Sequence, residues 1–109
     1  MDNSTFQRGA DLFNAREYFD AHEVWEDVWR VAPVEEKKFL QGLIQVAVAL
    51  HHHSRGNLEG ARSLLSRAHR NLSHYPDSYA GMNLAAVRAD ITQCQQALST
   101  GAPLIPPSI

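Results

Sequence analysis

Cysteine is almost missing from this chain. Cys94 is the sole one, so no disulfide can form within the molecule. At an apolar helix position that thiol reads as a small core residue rather than a nucleophile, and the usage fits a reducing, cytoplasmic compartment. Long apolar runs are missing too. The longest, Gly42 to Leu50, is interrupted by Gln45 and falls well short of the ~20 residues a membrane helix needs. Met1-Asp2-Asn3-Ser4-Thr5 offers no basic leader ahead of an apolar stretch, so neither an export signal nor a membrane partner is expected. Positive charge is not in excess either. Ten Lys and Arg are interleaved with twelve Asp and Glu for a net charge of -2, which leaves no basic stripe to track a phosphate backbone, and no nucleic acid partner is expected. Glycine-rich phosphate loops, Ser-His-Asp arrangements and a catalytic cysteine setting are all missing, which excludes hydrolytic triads and P-loop chemistry. No stretch alternates apolar and polar residues with β-branched enrichment, so no strand is expected.

What is present is a helical pattern. With 109 residues and 44% hydrophobic content, the chain supports one core, read as a single domain over residues 1–109. Breakers at Pro33, Gly56-Asn57, the Tyr75-to-Asn83 stretch and Gly101 separate five helix-length segments. The first runs from about Thr5 to Asn14, with Ser4 or Thr5 as N-cap and Phe6, Ala10 and Phe13 at helical spacing. The second runs from about Arg16 to Val31 and the third from about Glu35 to Ser54, just after a proline. The fourth, Leu58 to Ser73, and the fifth, Leu84 to Ser99, each carry one buried stripe. The expected fold is all-α, a compact bundle of about five helices around a central helix at 35–54. The third and fourth segments pair like an αα-hairpin, but no second copy recurs at a fixed period, which disfavours a solenoid. Residues 101–109 form a Pro-rich tail that cannot be helical. Leu104, Ile105 and Ile109 would let it dock on a neighbouring face, and a free tail is the alternative.

Polar residues fall on faces where apolar ones are expected. At about 100° per residue, Tyr18, Ala21, Trp25, Val28 and Trp29 share one face of the second helix. His22 falls inside that arc, Glu26 lies one turn beyond it, and Phe19 and Glu23 border it. The third helix is apolar in nearly every direction, yet Gln41, Gln45 and His52 gather within about 40° of each other. Such a stripe must be satisfied internally or face a cavity. Short connections make sequential helices antiparallel neighbours, so the stripe is expected to meet His22, Glu23 and Glu26, with Gly42 and Ala49 leaving room beside it. Among the consecutive histidines His51, His52 and His53, divergence of about 100° per residue prevents joint chelation, and only His52 belongs to the stripe. His69 and His74 read as solvated. Trp25 and Trp29 read first as core fillers that could also wall a pocket.

The combination Phe13-Asn14, Tyr18-Phe19-Asp20-Ala21-His22-Glu23-Val24-Trp25-Glu26, Trp29, Gln41-Gly42-Leu43-Ile44-Gln45, His52, Arg55-Gly56-Asn57 and Gly60-Ala61 resembles the domain of unknown function 309 family, small helical proteins of bacteria and archaea. The likeness covers roughly Phe6 to Leu72. It implies a helical bundle around a central helix and no established activity, with signature positions at His22, Glu23, Trp25, Glu26, Gln41, Gln45, His52, Gly56 and Asn57.

Two functions fit the residues. In one, His22, Glu23, Trp25, Glu26, Gln41, Gln45 and His52 line a small-molecule or metal pocket. A divalent metal would be held by His22, Glu26 and His52, and catalysis would fall to Glu23, Glu26 or His22. The Glu-x-x-His order of di-iron bundles and the His-Glu-x-x-His zinc motif are both absent. In the other, the cluster is a structural hydrogen-bond network, and a surface face binds a protein partner or a second copy as a homodimer.

Overall fold

A computed structural model describes all residues 1–109. Five helices are present: α1 (Asn3–Asn14), α2 (Tyr18–Val31), α3 (Val34–Ser54), α4 (Leu58–Leu72) and α5 (Leu84–Thr100). The α1 N-cap is Asp2, whose carboxylate accepts from the Ser4 and Thr5 amides at 3.1 and 3.2 Å, two residues ahead of the nearer of the two caps expected from sequence. The second helix cannot begin at Arg16, because that residue has φ 64° and closes α1 instead. The Arg16 N–H donates to Phe13 and the Glu17 N–H to Leu12, the paired bonds of a Schellman ending. Gly56, with φ 81°, ends α3 the same way: its N–H donates to His53 and that of Asn57 to His52. Asn57 then caps α4 by accepting from the Gly60 amide at 2.9 Å.

One small element departs from the all-helical expectation. Ser78–Tyr79 pairs antiparallel with Met82–Asn83 across a turn in which Ala80 and Gly81 have φ 53° and 74°. Two successive positive φ values match the twist of a hairpin. Alanine at the first position hides the Asn-Gly signal that would announce it.

Packing proceeds in sequence order: α1 lies on α2, α2 on α3, α3 on α4 and α4 on α5. The interior is wholly apolar, with Trp25, Phe39, Leu40, Leu43, Ala47 and Ile91 at zero exposure and no polar or charged residue buried. The Trp25 indole stacks on Phe6 and lies near Phe13, while its Nε1–H donates to the Phe6 carbonyl at 3.1 Å. The expectation that α3 is enclosed on all sides is therefore corrected. Gln41 is exposed, and Ile44, Gln45, Val48, His51 and His52 are only half-buried. The stripe meets water because no helix lies over that side of α3.

Two sets of contacts hold the C-terminal part of the chain in place. Arg88 of α5 donates to the Leu72 and Tyr75 carbonyls at 3.4 and 3.1 Å and pairs with Asp77, so α5 completes the carbonyl end of α4. The tail is docked, with Pro107 buried and Leu104 and Ile109 packed on the core.

Gly9 is the position where α1 and α2 approach most tightly against the indole. A Cβ there would meet Trp25 Nε1 at 2.4 Å, and a flat ring fully enclosed has nowhere to move. Although alanine is the better helix former by about 1 kcal/mol, Gly9→Ala is expected to lower stability by about 1–3 kcal/mol through overpacking. Urea unfolding followed by circular dichroism measures it.

Candidate functional site

The His/Glu/Gln residues lie on the open side of the bundle, where α2 and α3 run side by side. His22 Nε2 is 3.2 Å from Glu26 Oε1, with side-chain exposures of 17% and 42%. Its Nδ1–H donates to the Phe19 carbonyl. Both ring nitrogens thus face acceptors. In this arrangement neither nitrogen is free to bind a metal or take a substrate proton. Arg30 approaches the other Glu26 oxygen at 4.0 Å and pairs with Asp27.

Beyond His22 the rings of Phe19 and His51 follow. Phe19 packs edge-on against His22 with centroids 4.8 Å apart and tilts against His51 at 5.5 Å. Together with Val48 and His52 they wall a hollow of about 250 Å³. No hydrogen bond engages the side chains of His51 or His52. A second hollow of about 420 Å³ lies on the far side of Phe19 and His51, between the start of α2, the end of α3 and the tail.

The structure therefore brings together part of the expected cluster. His22 and His52 share a hollow, and Glu26 joins them through His22. Glu23 and Gln41 point to water. Gln45 turns to the opposite neighbour, accepting from Asn71 of α4 at 2.9 Å. Trp25 is core, not pocket wall. The room expected beside Gly42 is filled by Leu72, which a Cβ at Gly42 would meet at 2.7 Å, and Ala49 is fully enclosed. Nowhere do three His, Cys, Asp or Glu side chains converge closely enough to hold a metal ion, so the set His22, Glu26 and His52 is not assembled as a metal centre. A helical wheel separates His51 from His52 and gives it no role; the 100° between them lets the two rings flank the hollow from different sides. Phe19, half-exposed at 52%, is the other wall, and a large aromatic left in water beside two histidines is its only sequence-level signal.

Cys94 lies outside this region, buried beneath the tail, where its thiol contacts the Ile105 carbonyl at 3.5 Å. Burial, reinforced by the nearby Asp90 charge, pushes the thiol up to about 11.

Five helices with an apolar interior and a histidine-bearing open face define a compact all-helical module, and no helix is long and apolar enough to cross a membrane. Residues 6–64 match the model of the family described as Domain of unknown function (DUF309), and the chain belongs to that family. It is 36% identical over 78 residues to an uncharacterized protein of Aquifex aeolicus (strain VF5), an alignment covering 71% of this chain and 23% of the relative. It is 43% identical over 58 residues to the uncharacterized protein YpuF of Bacillus subtilis (strain 168), covering 52% of this chain and 33% of that protein. The chain thus spans about a quarter to a third of the relatives it matches.

Two measurements follow from the geometry. The His22–Glu26 contact lies at the partly exposed edge of the bundle, so His22→Ala is expected to cost no more than about 1 kcal/mol. Chemical denaturation decides, and a loss of about 3 kcal/mol or more would restore a buried network. For Cys94 the folded thiol holds its proton more tightly than the unfolded one. Its stabilising contribution is complete below pH 9, the ordinary thiol value, and is lost as pH rises to about 11. Unfolding free energies measured from pH 8 to 11 should fall in the wild type more steeply than in Cys94→Ala.

Proposed function

We propose that this chain is a binding module whose site is the ring-walled hollow between the start of α2 and the C-terminal half of α3, and whose ligand is a small molecule bearing a planar ring and a polar group. The carrying observation is that His51 and His52 are half-buried yet make no hydrogen bond within the protein. Polar atoms set into a partly apolar wall without a partner are available to a ligand. The His22–Glu26 pair supports this by fixing the His22 ring as one wall, and Phe19 offers a face for stacking. A hollow of about 250 Å³ admits one ring with its substituents and little more. Acid–base chemistry at His52 is compatible with this placement, whereas His22 holds its neighbours.

Nuclear magnetic resonance titration of heteroaromatic carboxylate fragments against the wild type, His52→Ala and Val48→Trp tests the assignment. Val48→Trp fills the hollow from its floor. Saturable shifts confined to Phe19, Val48, His51 and His52, weakened at least tenfold in both variants, are expected. Shifts that persist unchanged in Val48→Trp would place the binding elsewhere and end this assignment.

A further inference from the structure

Helices α1 and α5 do not pack extensively on each other. Residues 101–109 close the seam between them. Gly101, with φ 74°, stops α5, and the Ala102 N–H returns to the Ala97 carbonyl at 3.1 Å. The chain then doubles back along α5. The Ile105 carbonyl lies against the Cys94 thiol, and Ile109 reaches a hollow shared with Ala10, Ala86 and Val87. Three prolines in seven residues keep this segment extended and remove backbone donors that the seam would otherwise have to satisfy.

The contacts that hold the segment are those by which a groove recognises an extended peptide. Apolar side chains go inward: Pro107 is buried, and Leu104 and Ile109 pack on the core. The backbone is read by a side-chain amide. Asn14 Nδ2–H donates to the Ile109 carbonyl at 2.9 Å, and its Oδ1 accepts from the Ile109 N–H at 2.8 Å, the two-way pairing that a neighbouring strand would provide. The fit is loose at both ends. Leu104 and Pro106 border the hollow of about 420 Å³, and Ser108 and Ile109 border one of about 210 Å³. The Tyr18 hydroxyl, in the helix start beside this seam, is enclosed and unpaired. Ile105 meanwhile stands 81% exposed on the outer side.

We infer that the seam between α1 and α5 is a recognition groove for an extended, proline-containing apolar segment, and that residues 102–109 are its resident occupant. The partner it fits is a protein segment with a Pro-Pro step between aliphatic anchors, spaced like Leu104, Pro106, Pro107 and Ile109. Asn14 reads its backbone. Such a partner must displace a tethered occupant whose effective concentration is on the order of millimolar, so the groove engages only a segment that binds more tightly or is itself held nearby. This inference is independent of the ring-walled hollow.

The test uses the full chain with the tail loosened by Leu104→Asp and Ile109→Asp, which alter the occupant and leave the groove walls intact. A fluorescent peptide with the sequence of residues 102–109 should bind this variant saturably, at least tenfold more tightly than the wild type, while a scrambled peptide should not bind. A folded variant that takes up no peptide at millimolar concentration overturns the inference. If the double variant fails to fold, the milder single change Leu104→Ser, which also alters only the occupant, provides the measurement. Excess unlabelled peptide should shift the tail resonances of the labelled Leu104→Ser protein toward free-peptide values, and unmoved resonances at several millimolar overturn the inference as well.

Discussion

The Trp25 indole lies where α1 crosses α2, stacked on Phe6, close to Phe13 and seated over the bare backbone of Gly9. Its N–H is satisfied by the Phe6 carbonyl, so the largest side chain in the core is enclosed without leaving a polar atom stranded. Everything on the open face depends on this wedge. It fixes the rotation of α2 about its axis, and a helix whose Trp25 points inward must carry His22 and Glu26 at the edge of the buried stripe, facing the stripe on α3. The same rotation leaves Phe19 on the rim, where it meets His51. The geometry of His22 is thus set by the contact of α2 with α1.

Much of this arrangement was legible in the residues. The five helices follow from apolar spacing and from breakers, and the Gly56-Asn57 step reads correctly because each residue performs one recognisable task, a left-handed ending and then a cap. The stripe Gln41, Gln45 and His52 was also visible. Its environment was not. A helix with apolar residues in nearly all directions implies enclosure, and α3 evades that implication because its partly exposed members, Ile44 and Val48, are apolar residues that pattern alone assigns to the core. Gln45 was paired with the wrong neighbour for a similar reason: consecutive helices flank α3 on both sides, and only the three-dimensional register selects Asn71. Arg16 misled because a non-glycine residue in the left-handed region leaves no mark in the sequence.

Chemically, the open face combines two kinds of histidine. His22 is spent, with both nitrogens held by main chain and carboxylate. His51 and His52 are unspent and sit one turn along the facing helix. Carboxylate, imidazole and aromatic ring are therefore arranged in series, Glu26 against His22 and His22 against Phe19. The absence of a converging ligand trio separates this arrangement from the metal-holding bundles that the same residue types would allow.

Arg88 carries a consequence for where this unit ends. The family match stops at residue 64, inside α4, yet the carbonyl end of α4 is finished by a guanidinium from α5. Residues beyond the family match are therefore part of what finishes a helix that begins inside it.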